Sequence, residues 1–571
     1  MLRIPIVEQY KTYKKEYLSG DLSAGLTVGV MLIPQGMAYS MLAGLPPIYG
    51  LYASSIPLII YAILGTSRQL AVGPVAMVAL LIASGVGSLA AAGSPEYLGY
   101  AILLALMVGV IQTSMGVFKL GFLVNFLSHP VIAGFTSAAA IIIGISQLKH
   151  LLGIPLAGQK VHEKLWSAVQ HIDEVNIYTF ILGLASILVL IAVKKINKRI
   201  PGPLVVVILG ILAVKIFSLD TLGVKIVKEV PAGFPSLSNP FEYAASFKSL
   251  IPMALTISFV GFMESIAVAK AIQKKHKTYQ VDASQELTAL GMSNVVGSFF
   301  SSFPVTGGFS RTAVNDQAGA NTGFASIISA LVVLFTLLFL TEYFYYLPQT
   351  VLAAIIMVAV YGLIDFHEAK YLWKYDRRDF ILFMVTAVAT LTLGIEEGII
   401  IGVILSLGVT IYNVSNPHIA ELGNIEGTKE YRNIVRFPNV LKREDILIFR
   451  IDSAIFFANI EGFTSKVRSA VKLNPHVKNV VLECSAVTDI DSTAMTALKD
   501  LGADLRQKGI QLNFSDVKGP VRDIFARYGL LYPDNKNQFF ISTHEAVEIL
   551  SGKNSVKQND YVLQAEDSEG H

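Results

Sequence analysis

Of 571 residues a single one is cysteine, Cys484, and only 15% are charged. One thiol excludes an intramolecular disulfide framework and any multi-cysteine metal site. The ten histidines lie mostly in loops, and neither metal-ligand clustering nor a nucleophile–base constellation is evident. The chain therefore does not read as an enzyme and requires no cofactor or metal. A net charge of +3 is too small for so long a chain to suggest nucleic acid as a partner. No cleavable signal sequence is expected, because the stretch through Tyr17 is polar and basic and the first apolar run leads into further ones.

What is abundant is hydrophobic surface: 53% of residues are apolar and the mean hydropathy is +0.56, which predicts a polytopic membrane protein in contact with lipid. Runs such as Ile102–Leu120, Tyr178–Val193, Ala325–Leu340 and Phe380–Leu393 approach or reach the roughly 20 residues that a hydrocarbon core demands, and about fourteen of them precede residue 415. Basic clusters at Lys11/Lys14/Lys15, Arg68, Lys119, Lys194–Arg199, Lys270/Lys274/Lys275/Lys277 and Lys370/Lys374/Arg377/Arg378 fall before the first span and after even-numbered ones. All then lie on one side, which predicts cytoplasmic N- and C-termini. A multi-pass protein of the bacterial inner (plasma) membrane is the expected setting.

After Asn416-Pro417 the pattern changes. "DILIFRI", "NVVLEC" and "IQLNF" read as buried strands, and Gly462–Lys472, Ser492–Lys508 and Val521–Leu530 have helical spacing, so a small cytoplasmic α/β domain is expected. The stretch "VVLECSAVTDIDSTAMTALKDL" resembles a STAS domain, the module shared by anti-sigma-factor antagonists and sulfate permeases. Ser492 stands where the bacterial antagonists carry a phosphorylatable serine. Its phosphorylation competes with a simpler reading in which Asp491 or Ser492 caps the helix. The expected division is an N-terminal segment at 1–20, a transport domain at 21–415 with repeats at about 21–220 and 245–415, a linker at 416–438, the STAS domain at 439–552 and a disordered tail at 553–571.

Two spans are interrupted. In "GTSRQLAVGPVAMVALLIASG" an extended approach ends at Gly73-Pro74; in "SSFPVTGGFSRTAVND" one ends at Gly307-Gly308. Each is followed by a half-helix that would begin inside the membrane, where irregular backbone survives only if protein or a water-filled cavity satisfies it. A matching pair of Gly/Pro-interrupted segments marks a transporter site at the midplane. The breaks at Gly73 and Gly308 are separated about as far as the polar marks Gln35 and Glu264 that precede them. Two seven-span repeats of opposite orientation follow, with the half-helices meeting head to head. Two positive helix N-termini, with Ser310 and Arg311 in the first turn of the second, suit an anion; Arg311 could instead snorkel or pair with Glu264.

The region "LIPQGMAYSMLAGLPPIYGLYASSIPLIIYAILGTSRQLAVGPVA", joined by "FVGFMESIAVAKAI" and "NVVGSFFSSFPVTGGFSRTAVN", resembles the SulP family of sulfate permeases, and with the STAS domain the resemblance covers nearly the whole chain. It implies a seven-plus-seven inverted repeat with core and gate domains as in the uracil-transporter fold, a homodimer and an elevator-type motion. Carried over residue by residue, it implies an anion site at Gln35, Tyr39, Val75, Ala76, Phe309, Ser310 and Arg311, with Glu264 as the proton-coupling candidate. The implied activity is proton-coupled sulfate symport, with a possible regulatory partner for the STAS domain. An exchanger or symporter of bicarbonate, oxalate or a dicarboxylate is the alternative within that class, and an anion channel or STAS-based signalling scaffold the alternative outside it.

Overall fold

The computed structural model describes residues 4–122, 128–156, 158, 160–196, 201–276, 278–530 and 539–552. Lys198, Arg199, Lys277 and the tail expected to be disordered lie outside them. The chain forms two compact units, Met1–Ser406 and Leu407–His571.

The first unit is helical. It begins with α1 (Pro5–Lys11), α2 (Lys15–Leu42), α3 (Pro47–Ala53) and α4 (Ile56–Leu64), followed by the two-residue strand β1 (Val72–Gly73) and α5 (Ala76–Gly87). Then come α6 (Pro95–Val117), α7 (His129–Leu152), α8 (Val161–Gln170), α9 (Ile177–Ile196) and α10 (Gly202–Phe217). The second half runs through α11 (Phe247–His276), α12 (Ala283–Ser298), the strand β2 (Thr306–Gly307), α13 (Phe309–Gln317) and α14 (Phe324–Phe339). It closes with α15 (Gln349–Tyr361), α16 (Phe366–Tyr375), α17 (Arg377–Thr392) and the first part of α18 (Ile395–Ser415), whose remainder belongs to the second unit. Among the described residues eight helical stretches are long and apolar enough to cross a membrane, and three shorter apolar helices accompany them.

Close helix contacts are made where side chains vanish. A Cβ on Gly50 of α3 would lie 2.0 Å from the Gly36 carbonyl oxygen of α2. On α6 and α12, a Cβ at Gly109 would meet the Val295 nitrogen at 2.5 Å and one at Gly291 the Thr113 nitrogen at 2.4 Å. Small residues thus let backbones touch where no hydrophobic force favours protein over lipid. Buried acids then pin loops: the Asp21 carboxylate of α2 accepts from the Asn321 and Thr322 amides at 2.7 and 3.0 Å and from the Thr322 hydroxyl at 2.6 Å.

In the second unit β3 (Ile419–Ile425) pairs antiparallel with β4 (Tyr431–Asn433), β5 (Val440–Leu441) and β6 (Ile446–Ile451). From β6 the sheet continues in parallel through β7 (Asn479–Glu483), β8 (Gln511–Ser515) and β9 (Phe539–Phe540). Helices α19 (Ile460–Leu473), α20 (Ser492–Gln507), α21 (Gly519–Arg527) and α22 (Thr543–Leu550) complete it. The segment expected as a linker, 416–438, instead supplies β3 and β4. Its "IAELGNI" is only partly buried, so it lacks the continuous apolar run that marks the fully buried strands of the domain. Cys484 packs fully buried in this core, and burial pushes its thiol pKa up.

Asp491 caps α20. One of its oxygens accepts from the Ala494 amide at 2.7 Å and the other from the Phe457 amide at 2.8 Å, while Ser492 is exposed beside it. Asp491→Ala should cost about 1 kcal/mol locally and speed exchange of both amides by roughly fivefold, as for other lost caps. Ser492→Ala should leave them unchanged; equal acceleration in both variants would contradict the cap.

Candidate functional site

The two interrupted segments meet. Val72 pairs with Gly307 and Gly73 with Thr306 in an antiparallel ladder, so extended backbone that would be unsatisfied in hydrocarbon satisfies itself across the halves of the unit. The ladder is reinforced on both sides. The Gly308 amide donates to the Ala71 carbonyl at 3.0 Å, the Ala71 amide to the Thr312 hydroxyl at 3.0 Å, and the Asn315 side-chain amide to the Gln69 carbonyl at 2.8 Å. From α12, Asn294 brackets Val305, accepting from its amide at 2.8 Å and donating to its carbonyl at 3.1 Å. From α11, the Ser265 hydroxyl accepts from the Gly307 amide at 2.8 Å.

Directly after the ladder each segment starts a helix. Val75 is the N-cap of α5 and Ala76 its first residue; Gly308 is the N-cap of α13, followed by Phe309, Ser310 and Arg311. Neither N-cap supplies a side-chain hydrogen bond. Two sets of helix-start N–H groups therefore stand close together without the usual cap, each carrying the positive end of a helix dipole.

Arg311 joins them. Its guanidinium is 2% exposed and donates through Nη1 to the Pro74 carbonyl at 2.6 Å. Its Nε and Nη2 groups are buried and have no hydrogen-bond partner among the described residues. Gly308 is required for this placement, since a Cβ there would lie 2.7 Å from Nη2. Buried charged donors are almost always paired, yet among the described residues two guanidinium donors stand without partners beside two uncapped helix starts.

The remaining residues expected at the site divide into three groups. Gln35 and Tyr39, one turn apart on α2, are 5% and 6% exposed and make no side-chain hydrogen bond among the described residues. Tyr39 interacts electrostatically with Arg311 and Glu264. Glu264 on α11 is half-buried; Arg311 acts on it at longer range, and among the described residues no ion pair joins them. Phe309 and Ser310 are exposed at the start of α13. Ser492 belongs to the other unit and has no part in this constellation.

Sequence reasoning missed the polar residues that hold the ladder. Glu286 of α12, completely buried, accepts from the Tyr61 hydroxyl at 2.7 Å, the Thr66 amide and hydroxyl at 2.6 Å each and the Ser67 amide at 3.0 Å. It thereby fixes the chain that leads into β1. The signal was partly available: Gln112 is a polar residue within an apolar span, where it demands a partner, whereas Glu286 and Asn294 lie on the more polar α12.

The sequence profile of the Sulfate permease family matches residues 18–386. The chain belongs to this family. A STAS domain profile matches residues 437–546, so this sulfate permease family member is a membrane transporter with a C-terminal STAS domain, and not an enzyme. It is 41% identical over 95% of its length to "Sulfate transporter 4.1, chloroplastic" of Arabidopsis thaliana, covering 82% of that protein. It is 36% identical to "High affinity sulfate transporter 2" of Stylosanthes hamata, over 90% of this chain and 81% of that one. Among solved structures, the murine Solute Carrier 26 family member A9 anion transporter in the inward-facing state aligns with a TM-score of 0.90 at 28% identity, covering 96% of this chain and 94% of that one. The transmembrane domain of a cyanobacterium bicarbonate transporter, BicA, aligns at 0.61 and 24% identity over 69% of this chain and 99% of that one, which shows the fold.

These relatives correct the expected location. The proteins at 41% identity are from a plant, one of them named chloroplastic, and this finding overturns the bacterial inner membrane as the expected setting. Apolar spans report the thickness of a hydrocarbon core, which does not distinguish one cell's membrane from another's. The integral membrane assignment stands.

Proposed function

We propose that this sulfate permease family member carries sulfate across the membrane by proton-coupled symport, binding it between the starts of α5 and α13. The observation that carries this reading is the buried Arg311, with Nε and Nη2 unpartnered where two uncapped helices converge. The names of the plant relatives supply the anion. Sulfate is a tetrahedral acceptor, and this site offers it mostly donors: backbone N–H groups near Val75, Ala76 and Phe309, the Ser310 and Tyr39 hydroxyls, the Gln35 amide and the Arg311 fork. The transport function is assigned to residues 21–415, whose halves, about 21–220 and 245–415, each supply one interrupted segment.

The ladder also favours an elevator-type motion. With β1 and β2 paired and Arg311 bonded to Pro74, the two half-helices travel as one body, carrying the anion with them. Glu264 is the proton carrier in this reading. Its protonation removes one negative charge from a loaded core that must cross a potential costing about 2.3 kcal/mol per charge per 100 mV. The family resemblance adds a homodimer and a regulatory partner for the STAS domain to the proposal.

Radiolabelled sulfate uptake into proteoliposomes, with and without an inward proton gradient, tests it. Saturable uptake that the gradient drives above equilibrium is expected. Ohmic sulfate current without saturation would establish a channel instead, and saturable uptake indifferent to pH would remove the proton.

A further inference from the structure

The STAS-containing unit holds a second concentration of positive charge unrelated to the transport site. Where β3, β4 and β6 come together, a cleft of about 310 Å³ is lined by His418, Arg432, Asn433, Arg436, Arg450 and Asp452, among others. Three guanidiniums and one carboxylate thus line it, and Glu483 lies 3.9 Å from Arg450 beyond the lining. The lining carboxylate is already engaged: Asp452 accepts from Arg450 through Nε at 2.5 Å and Nη2 at 3.3 Å, and its second oxygen lies 2.9 Å from His418 Nδ1. Asn433 Nδ2 stands 3.4 Å from His418 Nε2, orienting the ring from its other side.

The other two arginines are uncompensated or nearly so. Among the described residues Arg432 pairs only with Glu430, at 3.2 Å, with both side chains largely exposed, a pairing worth little in water. Arg436 is exposed and has no ion-pair or hydrogen-bond partner for its side chain among the described residues. Like charges gathered around one cleft repel unless an anion joins them, and planar guanidinium forks match the oxygens of a tetrahedral oxyanion two at a time.

The last apolar helix, α18, ends at Ser415, and His418 follows three residues later, a reach of roughly 10 Å for extended chain. A tetrahedral oxyanion group can come from solution or be carried by an acidic lipid headgroup.

We propose that this cleft is an oxyanion-binding site, separate from the transport site, in which Arg432 and Arg436 grip a sulfate or phosphate group over a platform fixed by Arg450, Asp452 and His418. The group comes either from a dissolved inorganic anion or from an acidic lipid headgroup.

Hydrogen exchange of the full chain in nanodiscs separates these sources. In one arm the discs are phosphatidylcholine and sulfate or inorganic phosphate is added, with chloride at equal ionic strength as control. In the other the discs contain phosphatidic acid and no added oxyanion. The inference expects roughly fivefold slower exchange over residues 431–437 in at least one arm, absent with chloride and lost when Arg432→Gln and Arg436→Gln are combined. Both side chains are exposed, so the double variant should fold, and unchanged exchange in the rest of the sheet verifies that. Protection in the first arm alone assigns a dissolved anion; protection in the second alone assigns a lipid. No protection in either arm, equal protection by chloride, or protection that survives in the double variant would overturn the site.

Discussion

Arg311→Ala should lower sulfate affinity by roughly tenfold to a hundredfold, the range expected when a charge-assisted contact of about 1.5–3 kcal/mol is lost. The protein should still fold. Arg311 makes one side-chain hydrogen bond, to the Pro74 carbonyl, whereas the ladder between β1 and β2 and the contacts from Thr312 and Asn315 do not depend on it. Arg311→Lys keeps the charge but cannot reach the carbonyl and the anion with one planar fork, so intermediate affinity is expected. Ser310→Ala removes one exposed hydroxyl and should cost less than either. Sulfate titration of purified variants, with thermal melts as the check on folding, gives the answer. Unchanged affinity in a folded Arg311→Ala protein would remove this residue from the site.

That constellation was legible in part. Glycine and proline inside apolar runs revealed both interruptions, because nothing else in a membrane span tolerates broken backbone, and Arg311 was conspicuous as a charge where charges are expensive. The pairing of Val72 with Gly307 was not legible. Two-residue strands carry no periodicity, and their register is set by partners far away in sequence, Asn294 and Ser265 among them. Arg311's attachment was equally hidden, since the choice between an ion pair with Glu264 and a backbone carbonyl of the other repeat depends on a few ångströms. In the second unit the buried strands and amphipathic helices were plain, but β3 was not. Its partial burial blurs the alternation, and its edge partners β4 and β5 are too short to announce a sheet.

Glu264→Gln should abolish accumulation of sulfate driven by a pH gradient while sparing sulfate–sulfate counterflow. The amide has nearly the shape of the protonated acid, so the loaded protein is held in the state that crosses, and exchange needs only loaded crossings. Net uptake requires the carrier to gain a proton on one side and lose it on the other, which glutamine cannot do. A purely structural glutamate would behave differently, because its replacement would change nothing or depress both modes together. The two assays should therefore be run on one proteoliposome preparation. Gradient-driven accumulation that persists would exclude Glu264 as the proton carrier, and loss of both modes in a folded protein would assign it a structural role.

The lone thiol has a practical consequence. Cys484 is shut inside the sheet-and-helix core with its pKa raised by burial, so it forms little thiolate and offers no surface to a maleimide or a spin label. Nature has supplied what protein chemists usually engineer, a background silent to thiol reagents. A cysteine placed at any exposed position would be the sole reactive group, and a pair placed on α13 and on a neighbouring helix could be bridged or read as a distance in the otherwise native sequence. Whether α13 is displaced during turnover, as the proposed elevator motion requires, could then be read directly as a change in that distance.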